Sequence, residues 1–561
     1  MSQQHSELSA QQQLEAYGYK QELKRSVSTT DLLVYGLVFM VPIAPWAIFG
    51  TVYNASSGMV PLVYLVGLVA GREARHHPAT ILPSGSPHPR TVSPNGTVMS
   101  QQHSELSAQQ QLEAYGYKQE LKRSVSTTDL LVYGLVFMVP IAPWAIFGTV
   151  YNASSGMVPL VYLVGLVAMI FTALAYAQMA KSIPLAGSVF SYVGRGIHPT
   201  AGFFAGWAIL LDYLLVPTLL YVFAAESMVG IFPGTPRWLW ALLFVAINTV
   251  INLLGVSSLK LANRIFLLIE LVFVAIFVVI AIVALTGGTV PGASFSTDQV
   301  WDPSKVSAPL IASALSIAVL SFLGFDGIST LSEESTGRRG GAGLAMILAL
   351  VIVAFLFVLQ TWLASALAAG RDAFPDSEVG NAFFSIVEQA SSSGWATAFF
   401  AVNVLAVGIA NAMAAQAATS RLLFSMSRDR QLPAFLHKLN GRQVPQNAII
   451  VVSVLSAILV LFFVGQIDTI SSLVNFGALF GFMLLHVSVF VHHVVKGKSR
   501  NWLLHLVVPL IGFLIIGYVL LNAAVEAKVG GIVWLVVGAA VFLYYRATGR
   551  STEVGSEGDH A

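Results

Sequence analysis

Cysteine is missing from the 561-residue chain, which excludes disulfides, thiolate metal sites and a cysteine nucleophile. Charge is scarce too: only 10% of residues are Asp, Glu, Lys or Arg, against about 25% in soluble proteins. Most of the chain must therefore face something other than water. The formal net charge is +2, and the basic residues stand in small groups between apolar runs, so nucleic acid has no footprint here. There is no GxxxxGK[ST] loop and no HExxH, which leaves ATP hydrolysis and zinc catalysis without residues. No catalytic residue, metal or cofactor is expected, and the chain does not read as an enzyme.

What is abundant is apolar sequence. Residues 268–285, LIELVFVAIFVVIAIVAL, are long enough to cross an apolar layer of about 30 Å, which takes roughly 20 helical residues. Such runs predict spans at 129–151, 158–179, 201–229, 237–255, 262–286 and 307–332 in one half. The other half adds 343–369, 394–424, 446–465, 469–495, 502–523 and 530–546. The fold class is an all-α membrane protein of 12 transmembrane helices. From Met99 onward, 19 Lys and Arg fall on the amino-terminal side, while the opposite loops hold only Arg237, Lys305, Arg371 and Lys528. The positive-inside bias then puts both termini in the cytoplasm, with Arg421, Arg428, Arg430, Lys438 and Arg442 as a topology anchor between spans 8 and 9. His486, His492 and His493 are expected at a helix end on that same side. The polar, charged run 101–123 predicts no cleavable leader before span 1.

Residues 1–70 recur without a difference as 99–168. Structural repeats drift in sequence, so an identical copy restarting at a methionine reads as a gene-model or cloning event. The joining residues 71–98 are rich in Pro, His and Arg and lack hydrophobic period. Residues 1–98 are accordingly expected to be artefactual or disordered, and residues 99–561 to form the transmembrane domain.

Two spans are interrupted. In span 1, MVPIAPWAIFG sets Pro140 and Pro143 near mid-membrane, where each removes a backbone donor and frees the carbonyls of Val136 and Val139. In span 6, SFLGFDGISTLSEE sets Gly324 and Gly327 around Asp326, and glycine permits unwinding. Broken backbone is tolerated only where protein or a water-filled cavity covers it, and breaks five spans apart suit two inverted five-helix halves with a site at their interface. Intramembrane carboxylates are costly and few: Asp212, Glu226, Glu270 and Asp326. Glu226 is expected near the outer mouth and solvated. Asp326 could instead cap the half-helix after it.

Four segments together resemble the amino acid–polyamine–organocation (APC) superfamily: residues 183–215, 321–335, 418–433 and 473–490. Within it, bacterial putrescine importers share the LLDYL, SFLGFD, LSEE and NFGAL strings. The resemblance implies a LeuT-like 5+5 inverted repeat followed by two C-terminal helices. It also implies that Tyr213 handles substrate and that the two breaks form substrate-binding segments. One departure is Ala145, before Ile146, Phe147 and Gly148, where those importers carry an aspartate before a TFG string. A dication favours two separated carboxylates, whereas an amino acid can rest its carboxylate on half-helix N–H groups; the lost aspartate favours the second.

The expected function is alternating-access import of an amino acid or related small amine across the cytoplasmic membrane, with protons as a further partner. Spans 1, 3, 6, 8 and 10 should line the site. Backbone at Val139, Pro140, Ile141, Ala142, Gly324, Phe325, Asp326 and Gly327 would hold the charged ends, and Asp212, Tyr213 and Asn475 the side chain. Glu270 in span 5 is the proton-coupling candidate, because an apolar span penalises its charge. Obligate exchange and polyamine import are alternatives within transport, and a non-transporting nutrient receptor is the alternative outside it.

Overall fold

The computed structural model describes Leu121 and residues 124–547, apart from residues 184, 186–187, 233, 337–339, 369–370 and 376–377. The duplicated segment 1–98 lies outside the described residues. Among the described residues all regular structure is helical, save one isolated bridge between Val125 and Ser335.

Span 1 is split into α1 (Thr127–Met138) and α2 (Pro143–Ala153), which meet at 53°. Span 2 is α3 (Val158–Ser182), and a short helix, α4 (Ser188–Gly196), leads into span 3, α5 (Pro199–Ile231). Spans 4 and 5 are α6 (Arg237–Leu254) and α7 (Val256–Gly287). Span 6 begins as α8 (Ala308–Ala318) and tightens into the 3-10 segments Val319–Phe322 and Phe325–Glu334. Span 7 is α9 (Gly341–Leu367), and α10 (Ala382–Ala390) precedes span 8. Span 8 runs through α11 (Ser393–Leu405), a π-helical turn Ala406–Asn411 and α12 (Ala412–Arg428). Spans 9 and 10 are α13 (Gln446–Phe463) and α14 (Ile467–Phe490), the latter continued by a π turn, Val491–Lys496. A π turn at Leu503–Val507 opens span 11, α15 (Val508–Leu521), and span 12 is α16 (Val525–Ala547). Among the described residues, eleven helices are long and apolar enough to cross a membrane, and the bent α1–α2 pair makes a twelfth. The twelve predicted spans all appear, with α7 starting six residues early.

The apolar composition sorts by face. On α7, Leu268 is 65% exposed and Val279 61%, whereas Glu270 on the same helix is fully buried; its apolar face turns outward and its carboxylate inward. Span 2 packs on span 7, and the α1 half of span 1 packs on the Phe325–Glu334 half of span 6. Span 5 meets span 7 as span 10 meets span 2. Each pairing exchanges with another, or with itself, when two five-helix halves are swapped, which is the symmetry of an inverted repeat. Spans 11 and 12 are added outside this core. Trp207 and Trp534 clasp α16 to α5: each indole N–H donates to the other's backbone carbonyl at 2.7 Å, and the rings stack at 4.8 Å.

Candidate functional site

The break in span 1 is enforced by sequence. Pro140 and Pro143 cannot donate, and Val139 takes φ = +53°, a conformation that a β-branched residue adopts only under outside constraint. The carbonyls expected to be free are used locally: Val136 accepts from the Val139 N–H at 3.3 Å and Val139 from the Ala142 N–H at 2.8 Å. The Pro140 carbonyl accepts from Gln360 of span 7 at 2.9 Å, and Gln360 in turn accepts from the Trp144 indole at 2.6 Å. The opposing break in span 6 centres on Gly324, at φ = +115°. A Cβ there would lie 2.9 Å from the backbone of Phe137. Glycine is thus required twice over, for the left-handed turn and for the close approach of the two breaks.

Between the two breaks lies a cavity. Its wall comes from spans 1, 3, 6 and 8. Asp212 and Asp326 are its charged lining residues, and neither Lys, Arg nor His contributes. Asp326 is 2% exposed. Its Oδ2 accepts from the Tyr213 hydroxyl at 2.7 Å and, at the limit of bonding, from Tyr176 at 3.5 Å. Its Oδ1 accepts from the Gly324 N–H at 3.3 Å. The bond to a donor behind it, rather than to the turn ahead, differs from the helix cap expected as one option. Asp212, 4% exposed, keeps Oδ1 without a hydrogen-bond partner among the described residues, and so does Oδ1 of Asn411 in the π turn of span 8. The orphaned polar atoms facing this cavity are therefore acceptors. An ammonium, with three donors and no acceptor, is their complement.

One mouth of this region is shut. Glu334 at the end of span 6 is paired with Arg421 of α12, and Glu333 takes Arg428 at 2.5 Å. The backbone N–H groups of Ser124 and Val125 both donate to the Glu334 carbonyl at 3.0 Å. Asp129 closes a capping box with Ser126 and holds Lys260 at 3.0 Å and Arg264 at 2.6 Å from span 5. Arg421, buried, and Arg428, half-buried, are thus partners of span 6, more than the topology anchor read from sequence.

A model of the amino acid permease family matches residues 124–544. The chain belongs to that family. The permease is 29% identical over 427 residues to the low-affinity putrescine importer PlaP of Escherichia coli (strain K12), covering 75% of this chain and 92% of the importer. It is 24% identical over 472 residues to the branched-chain amino acid permease BcaP of Bacillus subtilis (strain 168), covering 78% and 96%. A solved structure of MhsT in complex with L-phenylalanine aligns over 72% of this chain and 100% of that one, at 15% identity and a TM-score of 0.49. The permease is accordingly a multi-pass membrane transporter of the APC superfamily and not an enzyme.

Of the residues expected at the site, Val139, Ala142, Asp212, Tyr213, Gly324 and Asp326 line the cavity together. Pro140 and Ile141 are set back behind the break, Pro140 by its bond to Gln360. Phe325 turns the other way, edge-on to Tyr176 and tilted against Phe482, and Gly327 packs on the Phe137 ring. Asn475 of span 10 instead donates to the Ser316 carbonyl of α8 at 3.0 Å, so span 10 braces span 6 from behind. Glu270 lies off the cavity, both carboxylate oxygens lacking a partner among the described residues. Glu226 meets Arg237 at 2.6 Å at an exposed edge. His486 is not at a helix end; it is buried within α14, with Nε2 3.2 Å from the Thr172 hydroxyl. Sequence reasoning missed Asn411, Ala415 and Thr419, which span 8 contributes; Thr419 donates to the Tyr213 carbonyl at 2.6 Å and so fixes the backbone beside Asp212.

Proposed function

We propose that this permease imports a small ammonium-bearing substrate by alternating access, with a basic amine such as a diamine favoured over a zwitterionic amino acid. The observation that carries the proposal is the pair of buried carboxylates, Asp212 and Asp326, in a cavity whose lining has no cationic side chain. The aspartate absent from span 1, where Ala145 stands, argued against a dication; spans 3 and 6 supply two carboxylates in its place. The relative PlaP, a putrescine importer, agrees with this reading. We assign both termini to the cytoplasm, supported by 19 basic residues on one side against four on the other, so that the shut mouth faces inward. Glu270 is our candidate for a co-transported proton, supported by its full burial and lack of a partner.

A second reading has its own support. Val216, Leu219, Leu220, Phe223 and Val407 make one wall apolar, which suits a branched aliphatic side chain, and BcaP is such a permease. Thermal-shift and equilibrium binding on purified protein separate the two. Stabilisation by putrescine and not by leucine is expected; stabilisation by leucine alone would overturn the diamine preference.

A further inference from the structure

Asp212 and Asp326 face one cavity but are provided for differently. Asp326 receives two phenol hydroxyls and a backbone N–H, donors that sustain a negative charge. Asp212 has an oxygen with no partner among the described residues. The titratable groups around it are Asp326 from span 6, its neighbour Tyr213 and, from span 2, Tyr176, all of which are neutral or negative. Span 8 faces it with Asn411 and Thr419, and span 10 brings Gly477 against its backbone, where even a Cβ would come within 2.8 Å. No cation reaches it from the lining. Two ionised carboxylates in such surroundings would be an uncompensated double charge, and Asp326 already has the donors.

We propose that a proton and the substrate's ammonium compete for Asp212, so that each substrate bound expels one proton. This rests on the ammonium reading above and adds to it how the empty site is neutralised. In the empty carrier Asp212 is a carboxylic acid. When R–NH3⁺ enters, the O–H bond of Asp212 breaks, the proton leaves to water through the open mouth, and the carboxylate and the Asn411 amide oxygen accept from the ammonium. No other bond changes. The returning empty carrier must regain a proton, so a single ammonium moved inward is matched by a proton moved outward at this site, separately from any proton on Glu270.

The test uses the full chain in lipid nanodiscs, with putrescine as ligand. Calorimetry in buffers of different ionisation enthalpy should count one proton released per putrescine bound, and the Kd should fall tenfold per pH unit over the acidic range. Asp212→Asn should bind more weakly, with no pH slope and no proton released. Wild-type binding without proton release, or an unchanged slope in Asp212→Asn, overturns the proposal; if that variant does not fold, the wild-type count decides alone. Should leucine bind and putrescine not, the diamine preference fails, and the same count with leucine still tests the competition. If neither binds, the infrared spectrum of the ligand-free protein must still hold a protonated-carboxyl band that Asp212→Asn removes. Absence of that band refutes the idea.

Discussion

Replacing Arg421 by Met should unlock the mouth that Glu334 and Arg421 shut. The two residues are 1% and 3% exposed, and Oε2 of Glu334 has no partner among the described residues, so the guanidinium is its main compensation. Removing one member of a buried pair costs about 3–5 kcal/mol, most of it from the charge left behind. In a form with this mouth open, Glu334 meets water, so the loss falls on the closed form. At about 1.4 kcal/mol per tenfold, the closed-to-open ratio should drop on the order of a hundred- to a few-thousand-fold. The chain has no native cysteine, so an introduced Ala142→Cys gives a single labelling site on the cavity wall. In oriented vesicles, a water-soluble maleimide applied from the face where α1 begins should modify Arg421→Met far faster than its parent. Adding Glu334→Leu should return the rate toward the parent, because the stranded charge is then gone. Equal rates in Arg421→Met and the parent, or a double variant as fast as the single one, would refute the reasoning.

Three further outcomes are expected. Tyr213→Phe removes the 2.7 Å bond to Asp326, a hydrogen bond to a charged group worth about 1.5–3 kcal/mol; the melting temperature should fall, and an unchanged melting curve would mean the phenol does not hold Asp326. Glu270→Gln should leave stability intact or raised and spare counterflow exchange, while uptake, balanced in the parent between a proton carried inward on Glu270 and one returned outward at Asp212, should become opposed by an inward proton gradient. Unaltered dependence on the gradient in proteoliposomes removes Glu270 from coupling. A chain begun at Met99 should insert and bind putrescine as the full chain does, and normal insertion without binding would show that residues 1–98 contribute to function.

The spans were legible because apolar runs of fixed length report a membrane whatever the tertiary packing. The two breaks were legible because proline and glycine act locally: Pro140 and Gly324 disrupt a helix regardless of neighbours. Tyr213 and Asp326, both expected at the site from spans 3 and 6, are bonded to each other. What escaped depends on contacts across long stretches of chain. The Arg421–Glu334 pair joins residues 87 apart, and Asn475 looks like a site residue until its partner, the Ser316 carbonyl, is seen. The helix α4, SVFSYVGRG, carries four β-branched or aromatic residues and two glycines in nine positions, so propensity gave no reason to expect it. Span 8 was expected to line the site, but nothing local singles out Asn411 or Thr419 within it, and the π turn that carries Asn411 has no local signature.

That turn sets how span 8 can be tuned. Asn248 of span 4 donates to the Gly408 carbonyl at 2.8 Å, occupying an acceptor within the wide turn. A π turn carries one residue more than an α turn of the same rise. Excising a single residue from Ala406–Asn411 would therefore return this stretch to regular α-helix with α11 and α12 still in register, changing only which side chains the turn itself presents, Val407 and Asn411 among them. The extra residue thus lets span 8 re-aim its share of the apolar wall and of the acceptors without moving the helices on either side.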